Sequence, residues 1–295
     1  MKKQIGICAL IAVLVLAVTC TSQLMAEDYR NKETKYITNT AFITAIEETI
    51  DINWTKAEDG TVPLTPENLE AIRVVKELYL SYAELTDLSG IEWFTGLEVL
   101  DCGGNYLRLL DVSKNTKLEK LWCYENQLRS LDVSQNTALT LLSCFDNQLR
   151  LLDVSQNTAL EVLYCGSNQL SGLDVSQNTA LELLDCCENQ LRSLDVLQNT
   201  ALEHLSCYEN QLRSLDLSHN TALIELSCTN NQLSELDLSH NTYLEFLHCG
   251  SQKRDNGDVQ QLTLTLTAEQ RKKWDWYWAD AIYKDGNNYD VRIKE

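Results

Sequence analysis

Along the middle of the chain, apolar and polar positions recur in one fixed frame. Residues 97–117 read LEVLDCGGNYLRLLDVSKNTK and residues 118–138 read LEKLWCYENQLRSLDVSQNTA. The frame restarts at Leu139, Leu160, Leu181, Leu202 and Leu223, and a last unit opens at Leu244 and decays after Cys249. A longer unit at 75–96 keeps Leu78, Leu80, Leu85 and Leu88 in the same places. A fixed period of this size marks stacked supersecondary units. Each unit holds the pattern twice: LxxLxCxxN (Leu118, Leu121, Cys123, Asn126), then LxxLxVxxN (Leu128, Leu131, Val133, Asn136). Inward and outward residues alternate within each half, which predicts a short strand in each. One coil cannot bury its own leucines, so stability must come from neighbours stacked on it.

This doubled pattern resembles the leucine-rich repeat family, and within it the bacterial, internalin-like type with a 21-residue nested unit; the match covers about 75–251. The resemblance implies a mainly parallel β solenoid, with strands stacked rung on rung and, given the doubled motif, on both sides of each coil. The flanks read as helical caps for its open ends, at 27–74 and 252–295. In the first, Phe42, Ala45, Ile46 and Thr49 fall at helical spacing, and Thr65-Pro66 places a capping hydroxyl before a first-turn proline. In the second, LTLTLT at 262–267 reads as a strand, Thr267 and Gln270 as a capping box, and Trp274, Tyr277, Trp278 and Ile282 as one helical face.

The chain of 295 residues carries 43 Asp+Glu against 24 Lys+Arg, a formal charge of -19. That balance excludes the electrostatic footprint of a nucleic-acid binder and argues against docking on an anionic membrane. Lys2 and Lys3, an apolar run from Ile5 to Val18 and a small residue at Ala26 read as a secretory signal peptide over 1–26. A second reading places a lipid on Cys20, after a loose lipobox. Either way the mature chain is exported, to the outside or to the cell surface, with no membrane-spanning segment.

The recurring polar residues read as architecture. Cys102, Cys123, Cys144 and their successors to Cys249 sit at an inward position, where buried cysteine acts as a compact hydrophobe. Parallel in-register side chains lack disulfide geometry, and the paired spacing of a zinc site is missing, so free thiols are expected. Two asparagine columns, starting at Asn105 and Asn115, are expected to satisfy backbone groups where the chain turns. An aspartate column (Asp111, Asp132, Asp153 and on to Asp237) needs something to offset repulsion between rungs, from serines two residues on, backbone N–H groups or nearby arginines such as Arg129 and Arg150. One carboxylate per rung is too few oxygens for calcium, and Asp51, Asn53, Asp59 and Gly60 miss the offsets of a calcium loop. No cofactor is implied.

Function is sought where the repeat varies outward. One column runs Asp101, Trp122, Ser143, Tyr164, Asp185 and on to His248; the next runs Gly103, Tyr124, Phe145, Gly166, Cys187, Tyr208. Trp122, Tyr124, Phe145 and Tyr164 are expected to touch as one aromatic patch, with Tyr208 further along and an acidic border of Glu98, Glu119 and Glu161 suited to a basic partner. No nucleophile–base set, phosphate loop or HExxH motif stands out, and Cys187, the one outward cysteine, has no basic neighbour to activate it, so no enzyme is expected. Resemblance to bacterial surface proteins of this build implies protein recognition, as in an adhesin. A glycan-binding envelope module using Trp122 or Trp274, Trp276 and Trp278, and a passive scaffold, are the alternatives.

Overall fold

The computed structural model describes residues 35–253, 257–258, 261–277 and 290–293. The signal segment at 1–26, Cys20 and the side chains of Trp274, Trp276, Tyr277, Trp278 and Ile282 lie outside the described residues.

The chain enters through a short antiparallel pair, β1 (Tyr36–Ile37) with β2 (Val62–Pro63), and two helices. α1 (Thr40–Thr49) starts at Asn39, whose side chain accepts from Phe42 N–H, and it buries Phe42, Ile43, Ala45 and Ile46. α2 (Pro66–Arg73) starts as its sequence predicts: Thr65 Oγ1 accepts from Asn68 N–H at 3.3 Å, and Pro66 occupies a first-turn place where no N–H is needed. Phe42 meets Phe94 edge to face, centroids 6.0 Å apart, which ties this segment to the first coil.

Nine strands then stack in a parallel sheet, one per coil: β3 (Glu77–Tyr79), β4 (Val99–Asp101), β5 (Lys120–Trp122), β6 (Leu141–Ser143), β7 (Val162–Tyr164), β8 (Leu183–Asp185), β9 (His204–Ser206), β10 (Glu225–Ser227) and β12 (Phe246–His248). Pairing is in register, so Leu100, Leu121, Leu142 and Leu163 are lateral neighbours in the core. Each leucine hidden this way is worth about 1.5–3 kcal/mol relative to exposure. The cysteine column follows on the same side, and the nine described cysteines are buried free thiols.

The expected strand in the second half of each coil is largely not formed. Between repeat coils it is reduced to a single bridge, Asp111 to Asp132. The backbone groups there are satisfied in other ways: Asp132 Oδ1 accepts from Ser134 N–H (2.9 Å), and the Val133 carbonyl accepts from Asn136 N–H (2.9 Å) and from Asn157 Nδ2 (3.0 Å). Groups bonded within the coil or to side chains do not require a neighbouring strand. Among the described residues a true strand forms there only in the last complete coil, where β11 (Glu235–Asp237) pairs with β13 (Thr263–Leu266), which pairs in turn with β14 (Asp290–Ile293).

Both asparagine columns are built into the turns as expected. In the first, Asn126 shares its amide hydrogens among the carbonyls of Cys102, Cys123 and Tyr124 (3.0–3.2 Å), while its Oδ1 accepts from Leu107 N–H at 2.9 Å. In the second, Asn136 donates to Val112 and Asn115 carbonyls (3.0 and 2.9 Å). Two glutamines finish the columns where the repeat ends. Gln252 takes the next asparagine's place in the first, donating to the Cys228 and Cys249 carbonyls and accepting from Leu233 N–H. Gln270, on α3 (Ala268–Tyr277), closes the second by donating to the Leu238 and Asn241 carbonyls, and its Oε1 forms the predicted capping box with Thr267.

The aspartate column is held by the residues two places on, serines except at Asp195, which accepts from Leu197 N–H. Asp111, Asp132, Asp153, Asp174 and Asp216 have carboxyls below the usual range because the N–H and hydroxyl two residues on bond to them. Arg108, Arg129 and Arg150 bond glutamines of the next coil instead.

Candidate functional site

Strand pairing lays the outward residues of one face side by side. The third strand residues run Tyr79, Asp101, Trp122, Ser143, Tyr164, Asp185, Ser206, Ser227, His248, each opposite the next. Trp122 and Tyr164 stand on either side of Ser143 and leave it buried. A second outward column, which the leucine pattern contained but which was not singled out above, is formed by the first strand residues. Leu141, Val162 and Leu183 there make a half-buried apolar stripe on three consecutive rungs, followed by His204 and Glu225. The signal was available in the residue just before the second leucine of each LxxL.

The expected single aromatic patch is not formed. Among the described residues no ring stacking joins Trp122, Phe145 and Tyr164, and the ring contact on this face is Tyr82 with Tyr124, centroids 6.4 Å apart at 62°. The cause lies in two glycines. Gly103 leaves room for the Tyr124 ring, which a Cβ there would strike, so Tyr124 leans toward the start of the solenoid. Gly166 leaves room on the other side: a Cβ there would sit 3.1 Å from Phe145 Cδ2 and 2.7 Å from Cys187 Sγ. Tyr124 and Phe145 therefore lean apart. Burial, with Asp101 and Tyr82 adding to it, pushes the Tyr124 hydroxyl up to about 12.

Cys187 holds an outward position yet is only 1% exposed. Burial, reinforced by Asp185, pushes its thiol up to about 12, so it is protonated near neutrality. Tyr208 stands on the next rung and donates to Glu188 Oε1 at 3.3 Å.

Tyr164 and Tyr208 both line a shallow depression of about 300 Å³. Asp185, Ser206 and Ser227 line it, with His204 and Glu225 at one side, Nδ1 to Oε2 3.4 Å. The acidic border is divided. Glu98 is ion-paired with Lys76, whereas Glu119 and Glu161 are exposed at strand entries, their backbone carbonyls accepting from the next coil. Among the described residues no group of three or more His, Cys, Asp or Glu is placed to hold a metal ion, and no helix is long and apolar enough to cross a membrane.

No protein-family model and no curated protein matches the chain. Solved structures do. The functional domain of InlJ from Listeria monocytogenes, described as including a cysteine ladder, is 38% identical with a TM-score of 0.65, over 77% of this chain and 49% of that one. This chain is a leucine-rich repeat protein. It spans about half of the InlJ chain it matches. The leucine-rich repeat protein LIC12759 of Leptospira interrogans (22% identity, TM-score 0.59, 78% of this chain and 64% of that one) and internalin C2 of L. monocytogenes (22%, 0.60, 70% and 92%) share the fold. The leucine-rich repeat accounts for the buried side of every rung and leaves the outward columns free to vary.

Proposed function

We propose that this leucine-rich repeat protein is an exported, non-enzymatic recognition module whose strand face docks another protein at a bacterial or host cell surface, in the manner of an adhesin. One observation carries the reading. Rungs that are almost identical inside present different side chains outside, at positions that backbone pairing holds rigid. Trp122 and Tyr164 with the Leu141–Val162–Leu183 stripe supply an apolar centre, and the depression beyond Tyr164 supplies polar groups and Tyr208. Tyr124 and Phe145 border that centre, and Glu119 and Glu161 favour a basic rim on the partner. Interfaces gain most from such central aromatic anchors with polar surroundings.

Binding to a panel of cell-surface and matrix proteins, and to a glycan array, tests this with Trp122→Ala/Tyr164→Ala beside the parent. Loss of a protein ligand by about 2 kcal/mol or more, roughly 30-fold, is expected for anchors of this kind. Equal binding by both proteins defeats the strand-face reading. Glycan binding without protein binding replaces it with the envelope-module alternative, and binding to neither leaves a scaffold. Terminal sequencing of the exported chain tests the leader: Glu27 as first residue is expected, and a lipid-blocked Cys20 would reassign it.

A further inference from the structure

Between α1 and β2 the chain runs over 50–61 without helix or strand, and inside that stretch it reads Asp51-Ile52-Asn53-Trp54-Thr55. Exposure alternates along these residues. Ile52 and Trp54 are half-buried and pack against the core, and the Trp54 indole N–H donates to Glu47 Oε1 at 2.9 Å. Asp51, Asn53 and Thr55 are exposed. Trp54 N–H also donates to the Ile52 carbonyl at 3.1 Å, a three-residue turn with Asn53 at its tip. The two apolar anchors thus leave the three polar residues in solvent together.

The amide of Asn53 is unlike the others of the fold. Asn126 and Asn136 are buried and spend their Nδ2 hydrogens on carbonyls of the stack. Thr55 is anchored by its main chain alone: its N–H donates to Asn68 Oδ1 at 2.7 Å and its carbonyl accepts from Asn68 Nδ2 at 2.8 Å. Among the described residues neither the Asn53 side chain nor the Thr55 hydroxyl has a hydrogen-bond partner within the fold. Both are free for an outside group.

The sequence sets Asn53 apart as well. Asn-x-Ser/Thr occurs once in the chain, here; the repeat asparagines are followed two places on by residues such as Leu128 after Asn126 and Ala138 after Asn136. That triplet is the acceptor of N-linked glycosylation, in which the amide and the hydroxyl two places on are read together. Bacterial transferases of this kind also read an acid two places before the asparagine, the place Asp51 holds. Access costs little. Local opening of the segment gives up the Trp54–Glu47 contact and the two Thr55–Asn68 bonds, and leaves the helices and the strand ladder in place.

We propose that Asn53 is a site of N-linked glycosylation, taking an oligosaccharide from a polyprenyl pyrophosphate donor outside the cytoplasmic membrane. This rests on the reading of the chain as exported, since donor and transferase meet the acceptor there. Asn53 Nδ2 bonds to the anomeric carbon of the donor's first sugar, and the bond from that carbon to the pyrophosphate oxygen breaks. The lipid pyrophosphate leaves with the bonding pair, and one Nδ2 proton passes to water. The product carries a bulky, solubilising group on the N-terminal cap. Trp122 and Tyr164 stand on the third and fifth rungs of the ladder, so the strand face stays open.

The test is mass spectrometry of the intact chain recovered from the cells that make it and from their medium, with terminal sequencing of the same sample and fragmentation of the peptide that holds Asn53. A mature first residue, a mass above that of the polypeptide and the sugar on Asn53 are expected. Asn53→Gln and Thr55→Ala should each abolish the added mass, whereas Thr55→Ser, which keeps the hydroxyl, should retain it. Thermal unfolding of Asn53→Gln and Thr55→Ala should stay cooperative, because neither side chain bonds within the fold, so loss of the sugar is separated from loss of structure. An exported chain of unmodified mass, sugar only on another residue, or added mass that survives Thr55→Ala overturns the proposal and leaves the export reading standing. A chain that keeps Met1 and stays inside the cell overturns export, and this proposal with it.

Discussion

Asn126 closes the first half of a coil and Asn136 the second, after motifs that differ at the inward site mainly as cysteine against valine, yet the two halves are built differently. The first half is a strand in a nine-stranded ladder, and its asparagine uses both ends of the amide. The second half is a turn tied by Asp132 and Ser134, and its asparagine uses only the donor end: Oδ1 of Asn115, Asn136, Asn157, Asn178, Asn199, Asn220 and Asn241 is buried without a partner. The same apolar pattern thus supports two solutions to one problem, the burial of backbone polar groups. One half solves it by pairing between coils, the other by side chains and turns. The paired half is the rigid one, and the outward residues of the proposed protein site stand on it.

The largest test of this contrast is alkaline pH, because the inward site carries a thiol in the first half and valine or leucine in the second. Burial pushes every ladder thiol up, Cys144 to about 12, while Val133 and its equivalents carry no proton. A thiol in the unfolded chain ionises near its ordinary value of about 8.5. Above that pH the unfolded state binds fewer protons than the native one, so stability is fully present below pH ~8.5 and falls as pH rises toward 12. Each cysteine contributes up to about 1.4 kcal/mol per pH unit. Several acting together exceed the whole stability of an ordinary domain within about a unit or two. Urea unfolding under reducing conditions from pH 7 to 10 should show this decline, and Cys144→Val should make it shallower by one thiol's share. A flat profile, or a slope indifferent to the substitution, would mean that the first half is not closed to solvent as described.

Next in size is the pair of asparagines. Asn147→Ala strands the buried Leu128 N–H and takes one donor from each of the Cys123 and Cys144 carbonyls, which keep Asn126 and Asn168, for a loss of about 3 kcal/mol. Asn157→Ala strands no group, because the Val133 carbonyl keeps Asn136 N–H and the Asn136 carbonyl keeps Leu139 N–H, and it also removes an orphan oxygen, so about 1 kcal/mol is expected. Equal losses in chemical denaturation would show that the free Oδ1 has no energetic consequence.

Much of this was legible in the leucines. The 21-residue frame led directly to the solenoid, to the inward cysteines and asparagines, and to which outward residues share a column. It did not separate the halves, because LxxLxCxxN and LxxLxVxxN alternate identically; only hydrogen-bond partners reveal that the second half spends its backbone groups on Asp132 and Asn136. It also placed Trp122, Tyr124, Phe145 and Tyr164 on neighbouring rungs without showing which way each ring leans. That is decided by the space at Gly103 and Gly166, a property of residues one rung away. Gln252 falls on the 21-residue count after Asn231 and was readable as the next member of that column, whereas Gln270 lies off the count and shows its part only through its hydrogen bonds.

The smallest effect tests how the two halves turn. The first half leaves its strand through a left-handed residue: Glu125 at φ 48°, Asp146 at 50°, Glu188 at 50°, with Gly104 in the same place at 62°. From Leu97 through the repeat coils, among the described residues, no second-half position is left-handed. A side chain held there costs about 1–2 kcal/mol, whereas glycine is free of that cost but loses about 0.5–1 kcal/mol more entropy on folding. Glu125→Gly should therefore stabilise the chain by about 0.5 kcal/mol, and losing the exposed contact from the Tyr82 hydroxyl to its carboxylate subtracts little. Gln135→Gly, at the matching place of the second half, has only the entropic loss and should destabilise by about 0.5 kcal/mol. Denaturation midpoints of the two variants should thus move in opposite directions. Movement in the same direction would mean that both halves leave their extended segments through one kind of turn, and that the contrast between them is confined to the strand.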